Sequence, residues 1–116
     1  MSYLYKSIED TLSKLQGAYA PNTLKSYYAD ARVFVDWCRE RNLEPFPIAS
    51  ETLCEYIECL QVNAAYSSIR RRISSLRRLN KMLGFEDQTR TEEVYLAIRR
   101  LKRSKCFEQK QAVGII

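Results

Sequence analysis

Residues 67–84 read SSIRRRISSLRRLNKMLG, and this stretch decides the fold. When successive residues are placed about 100° apart on a helical wheel, one side is apolar except for a single asparagine. That side consists of Ile69, Ile73, Leu76, Asn80 and Leu83. Gly84 suits the left-handed position that ends a helix. The stretch therefore predicts an amphipathic helix that begins at Ser67 or Ser68 and buries one face.

The opposite side of this helix alternates long cations with serines. It carries Ser67, Arg71, Ser74, Arg78 and Lys81, with Arg70 and Arg77 along one shoulder. Residues 67–83 contain six Lys or Arg and no Asp or Glu, although acids one turn away usually balance such cations. Arginine binds phosphate and the guanine edge, and a helix fits the major groove of DNA. The pattern favours a DNA-binding face, and the alternative is a basic helix that only faces solvent.

Four further amphipathic helices are predicted around this one, and no stretch alternates with the period of a strand. They span approximately residues 3–16, 22–41, 50–62 and 89–105. The predicted N-caps are Asn22 or Thr23, then Ser50, and then Thr89 in a Thr-x-x-Glu capping box. Asn42 and Gly17 suit the left-handed positions that follow two of the helices. The expected fold is all-α, a single bundle of four to five amphipathic helices around one core.

Size and composition fit one soluble domain. The chain has 116 residues, 46% of them apolar and 28% charged, with three Gly and three Pro. No apolar run approaches the roughly 18 residues of a membrane span, and acids interrupt the N-terminus where an export signal would be apolar. We expect a cytoplasmic protein without a membrane partner.

The metal-binding and nucleophilic residue types are sparse. The chain has no histidine, and its four cysteines contain no CxxC pair. Zinc fingers need clustered Cys or His ligands, and the Ser–His and Cys–His nucleophiles need a histidine. We therefore expect reduced thiols, no metal, no cofactor and no catalytic residues.

The net charge of +5 is unevenly distributed. Residues 1–65 carry six Lys or Arg against nine Asp or Glu, whereas residues 66–116 carry thirteen against five. This asymmetry suggests that the second half faces a polyanion.

Two other predicted helices offer candidate DNA contacts. In the second helix, Lys25, Ser26 and Arg32 point away from the apolar stripe, and its N-terminal amides suit phosphate. In the fifth helix, cations cluster near the end, where they also complement the helix dipole. The candidates there are Arg100, Arg103 and Lys105.

The order of these motifs resembles the N-terminal core-binding, SAM-like domain of tyrosine recombinases, the phage-integrase and Cre-like enzymes. The similarity spans approximately residues 11–112. Its motifs are Asn22-Thr23, Tyr27, Phe34, Trp37-Cys38, Pro47-Ile48-Ala49, Tyr56-Ile57, Leu60, Ser68-Ile69, Ile73-Ser74-Ser75-Leu76, Leu83-Gly84, the basic helix through Leu101, and Lys110-Gln111-Ala112.

The resemblance implies half of a clamp around double-stranded DNA, with the second and fourth helices in the major groove. It implies contacts with neighbouring protomers through the first and fifth helices, and a monomer without DNA. By position it adds Thr23, Ser68 and Arg72 to the candidates. The DNA-binding candidates together are Thr23, Lys25, Ser26, Arg32, Ser67, Ser68, Arg70, Arg71, Arg72, Arg78, Lys81, Arg100, Arg103 and Lys105.

The resemblance also implies a division of the chain and a missing activity. Residues 1–107 would be the DNA-binding domain, and residues 108–116 would begin a linker to a catalytic domain that this chain lacks. The family's chemistry needs a tyrosine nucleophile in an Arg/His/Arg-type pocket, and a chain without histidine cannot form one. Two other functions stay open: a helical protein–protein interaction domain, and a small stand-alone DNA-binding regulator.

Overall fold

The computed structural model describes the backbone of residues 2–114 and the side chains of residues 4–106. The described residues form five helices in one bundle, which confirms the predicted all-α fold. The helices are α1 Ser2–Ser13, α2 Pro21–Glu40, α3 Ser50–Leu60, α4 Tyr66–Met82 and α5 Glu92–Gly114.

The bundle is built from two helix pairs around an aromatic centre. Helix α2 packs against α4, and α3 packs against α5. Phe34 of α2 is fully buried, and its ring contacts Tyr56 of α3 and Phe46 of the α2–α3 connection at centroid distances of 4.9 and 5.9 Å. Such edge-to-face pairs add to the stabilisation from apolar burial. The core therefore joins the two pairs and leaves the outer face of α4 open.

Three of the predicted helix starts are wrong because the helices begin earlier, and one of them is α4, which begins at Tyr66 after Ala65 and not at Ser67 or Ser68. Ala20 is the extended residue before α2, so Pro21 is the first helical residue. Proline suits that position, since its fixed φ is helical and its missing N–H would have no partner there. Ala49 likewise precedes α3, which makes Ser50 its first residue and not its cap.

The side chains predicted as caps at Ser50 and Thr89 do not cap a helix. The Ser50 hydroxyl donates to the carbonyl of Gln88 at 2.7 Å and shares a hydrogen bond with Thr91 at 3.0 Å. The cap of α5 is Thr91, whose hydroxyl accepts the amide of Val94 at 3.3 Å. These bonds tie the starting turns of α3 and α5 together.

Two predicted helix ends are confirmed by backbone geometry. Asn42 after α2 has φ 56°, and Gly84 after α4 has φ 95°. Asparagine and glycine are the residues that adopt this left-handed conformation most readily. Helix α5 differs from expectation, since its backbone stays helical to Gly114, past the boundary predicted at residue 107. The side chains of the predicted linker, residues 108–116, lie outside the described residues.

Asn80 is the polar residue that holds two connections against α4. It is 1% exposed, and its Oδ1 accepts the amide of Ile48 at 3.1 Å. Its Nδ2 donates to the carbonyl of Glu86 at 3.3 Å. A buried backbone amide without a partner is costly, so this one side chain fixes both loops.

We predict that Asn80→Ala lowers the free energy of unfolding by about 2 kcal/mol, because the buried amide of Ile48 loses its acceptor. Urea denaturation followed by circular dichroism measures this change. The exposed neighbour provides the control, since Lys81→Ala should shift stability by less than about 0.5 kcal/mol. Equal stability of the two variants would contradict the role given to Asn80.

Candidate nucleic-acid interface

The faces of α4 lie as its sequence pattern predicts, except that Leu83 follows the helix and is only partly buried. Its inward side is buried and comprises Ile69, Ile73, Ser75, Leu76, Leu79 and Asn80. Its outward side is a row of exposed residues, here named the α4 ridge, that comprises Ser67, Arg71, Ser74, Arg78 and Lys81. Because the inward side is packed in the core, the ridge is held in one orientation.

One ridge cation has an acidic partner from another helix. The Nη1 of Arg71 donates to Oδ2 of Asp30 in α2 at 2.7 Å. The Asp30 side chain is 7% exposed, whereas the Arg71 side chain is 51% exposed. The lack of acidic residues within 67–83 therefore does not leave the whole row without an acidic partner, because α2 supplies one to Arg71. This contact had only a weak signal in the sequence, which is an acidic residue on the apolar stripe of α2. Asp30 lies one turn after Tyr27 and one turn before Phe34 on that stripe.

Three other cations of α4 have no acidic partner among the described side chains, and a fourth, Arg72, is turned inward. Among the side chains of residues 4–106, no carboxylate lies within 4.0 Å of Arg70, Arg78 or Lys81. Arg72 turns inward: its Nε is buried, and its charge partly offsets the rise that burial causes in the pKa of Tyr56. Arg70, Arg78 and Lys81 are thus free to bind an anion, and Arg72 is the least available predicted contact on this helix.

The candidates on α2 separate into two groups. Thr23 and Ser26 precede Asp30 by seven and four residues, so they share its face of the helix, the one next to α4. Lys25 lines a hollow at the α1–α2 turn, and Arg32 lines a cleft against α1 that also holds Glu9. The structure therefore brings Thr23 and Ser26, but not Lys25 and Arg32, towards the α4 ridge.

The candidates on α5 are likewise not all on one surface. Lys105 donates from Nζ to the carbonyl of Gln61 at 2.7 Å, at the C-terminal end of α3. Arg100 lies near Cys54 of α3, where burial raises the pKa of that thiol and the Arg100 charge lowers it. Arg103 is exposed. Lys105 and Arg100 therefore face α3, because the end of α5 packs there.

A cationic cleft between α4 and α5 was missed by the sequence prediction. It has a volume of about 600 Å³, and its walls include Arg70 and Arg77 from α4 and Arg99 and Lys102 from α5. Tyr95, Arg99 and Lys102 are spaced four and three residues apart, which places them on one helical face. That spacing was the signal available in the sequence.

The described residues contain no group of three His, Cys, Asp or Glu side chains that could hold a metal ion. No helix in the described part of the chain combines the length and apolarity that crossing a bilayer requires.

The four cysteines are free thiols, and burial raises the pKa of Cys38 to about 12. That thiol is an apolar core group and not a nucleophile.

We predict that Arg71→Ala lowers the free energy of unfolding by about 1–2 kcal/mol, because it leaves the buried carboxylate of Asp30 unpaired. Arg78→Ala is the matched control on the same ridge and should change stability by less than about 0.5 kcal/mol. Adding Asp30→Asn to Arg71→Ala removes the unpaired charge and should recover part of the loss. Chemical denaturation of the four proteins checks this, and equal effects of the two alanine variants would contradict it.

Comparison with known proteins agrees with this architecture. The sequence model of one protein family, the phage integrase N-terminal SAM-like domain, matches residues 10–86. This match is more than half of the chain and includes all of α2, α3 and α4. An integrase/recombinase xerD homolog of Selenomonas ruminantium is 32% identical over 72 residues, which cover 62% of this chain and 21% of that protein. The chain thus spans about a fifth of that relative's length. The chain belongs to the phage integrase N-terminal SAM-like domain family, the non-catalytic, DNA-binding core-binding module of tyrosine recombinases.

Proposed function

We propose that this chain binds one side of a duplex recombination site by placing the α4 ridge in the major groove, with the first turns of α2 beside it. The observation that carries this proposal is the set of free cations on α4. Arg78 and Lys81 are exposed, lie one turn apart and have no carboxylate within 4.0 Å among the described side chains. Like charges this close repel each other, and DNA phosphates would relieve the repulsion.

The contact between Arg71 and Asp30 supports base recognition at this position. Asp30 engages Nη1 of Arg71, which leaves Nη2 and Nε of the guanidinium to donate outward. A guanidinium fixed at one nitrogen loses less side-chain freedom when it binds, and its remaining donors match the O6 and N7 acceptors of guanine. We therefore assign Arg71 to a base edge, and Arg78 and Lys81 to phosphates.

The start of α2 supports a phosphate contact beside the ridge. The first turn of α2 contains no acidic residue, and its N-cap Ala20 offers no side-chain acceptor to the first amides. Free amides at a helix N-terminus bind phosphate well. Thr23 and Ser26 would add hydroxyl donors. Asp36 and Glu40, farther along α2, would repel phosphate, so the proposed contact is limited to the first two turns of this helix.

We further propose that the chain acts within a longer tyrosine recombinase. The matched region is about a fifth of the length of the integrase/recombinase xerD homolog of Selenomonas ruminantium. Strand cleavage would then be performed by residues that this chain does not carry, since it has no histidine. Helices α1 and α5 would contact neighbouring protomers on the DNA.

We predict salt-sensitive binding of duplex DNA by the 116-residue chain. The logarithm of the association constant should fall linearly with the logarithm of salt concentration, by about 0.9 per phosphate contact. Fluorescence anisotropy of a labelled duplex at several salt concentrations measures the slope. Absence of binding at low salt, or a slope near zero, would refute the proposal.

The double variant Arg78→Gln/Lys81→Gln tests the ridge itself. Loss of two phosphate contacts should reduce the slope by about 1.8 and weaken binding at 0.1 M salt by at least about tenfold. The charge-matched control is Lys6→Gln/Lys14→Gln, which removes two exposed cations from α1 and its end. If the control weakens binding as much as the ridge variant, only net charge matters and the ridge is not the contact surface.

A further inference from the structure

The cationic cleft between α4 and α5, here named the α4/α5 cleft, lies beside the ridge, shares none of its residues and has no assigned role. Five of its wall residues are cationic, and one, Glu92, is acidic. The cations are Arg70, Arg77, Arg90, Arg99 and Lys102. A hollow of about 600 Å³ with this charge balance is suited to an anion that has several charges.

Arg77 shows how closely the positive charges of this cleft are packed. It donates from Nε to the hydroxyl of Thr89 at 2.9 Å and from Nη2 to the Thr89 carbonyl at 3.1 Å. Burial and then the charge of Arg90 lower the pKa of Arg77, with Arg70 adding to the decrease and Asp87 opposing it. Arg77 is therefore a wall residue held by Thr89, in a place where further negative charge is favourable.

The α5 wall is arranged to present donors. The hydroxyl of Tyr95 accepts Nη1 of Arg99 at 3.2 Å, which leaves the other guanidinium nitrogens of Arg99 available. Lys102 lies three residues farther on the same face and is exposed. No carboxylate among the described side chains lies within 4.0 Å of Arg99 or Lys102. Two free cations thus face the cleft from α5, opposite Arg70 of α4.

The cleft is continuous with the α4 ridge. A neighbouring hollow of about 650 Å³ shares Arg70, Arg77 and Arg90 with the cleft and is also lined by Arg78 and Lys81 of the ridge. Glu86 and Asp87 line this hollow as well, and Asp87 is engaged by Arg90 at 3.0 Å. A strip of cations therefore runs from the outer side of α4 to the first turns of α5, on the side opposite α2.

We propose that the α4/α5 cleft binds the phosphodiester backbone of the same duplex whose major groove receives α4, through Arg70, Arg99 and Lys102. This inference rests on the proposed function. The major groove is bounded by two sugar–phosphate strands, so a helix lying in it has one strand on each side. The start of α2 faces one strand, and the α4/α5 cleft is placed to bind the other. Backbone contacts of this kind fix the register of a protein on DNA without reading sequence.

The variant Arg99→Gln/Lys102→Gln tests this inference in the 116-residue chain. Both side chains are exposed, so circular dichroism and thermal unfolding should match the unchanged protein. With a labelled duplex of mixed sequence, the salt slope should fall by about 1.8, and affinity at 0.1 M salt should fall by at least about tenfold. The α1 variant Lys6→Gln/Lys14→Gln again controls for the loss of two charges.

The outcomes separate this inference from the proposal on which it rests. If Arg78→Gln/Lys81→Gln weakens binding but Arg99→Gln/Lys102→Gln binds like the unchanged chain, the cleft inference is wrong and the ridge proposal stands. If the unchanged chain binds no duplex DNA, both are wrong. If the cleft variant loses only a concentration-dependent self-association in sedimentation, the occupant is the acidic half of a second copy, and the cleft inference is again wrong.

Discussion

Burial of one apolar face of α4 fixes the direction of every other side chain on that helix. Ile69, Ile73 and Leu76 are at most 2% exposed, so the helix cannot rotate without exposing them to water. The residues of the α4 ridge are consequently held outward in a row on a rigid support. A row of cations held in this way can match the phosphates and base edges of a duplex, because the backbone that carries them is already ordered before binding.

The polar contacts of α4 show that its cations serve two purposes. Arg71 pairs with Asp30 of α2, and Arg77 holds Thr89 of the α4–α5 connection, while Asn80 secures Ile48 and the carbonyl of Glu86. These contacts fix the position of α4 relative to its neighbours. Arg70, Arg78 and Lys81 make no such contact among the described residues and remain available to a ligand. Position on the helix, and not residue type, separates the two groups.

Periodicity predicted the helices and the faces of α4, because both depend only on spacing within one element. Contacts between elements were less predictable. Asp30 and Arg71 are 41 residues apart, and Lys105 reaches Gln61 across 44 residues, so only the packing of the helices brings them together. The caps at Ala20 and Ala49 were missed because alanine carries no capping side chain, and the more favourable Ser50 and Asn22 lay one or two residues downstream.

An NMR titration of the isotopically labelled chain with duplex DNA tests directly whether the outward face of α4 binds DNA. We expect amide shifts to change most along residues 67–81, with smaller changes at the first turns of α2 and on the α4-facing side of α5. Residues of α1 and the outer face of α3 should stay unchanged. Shift changes concentrated on α1 or α3, with α4 unaffected, would show that α4 is not the DNA-binding surface.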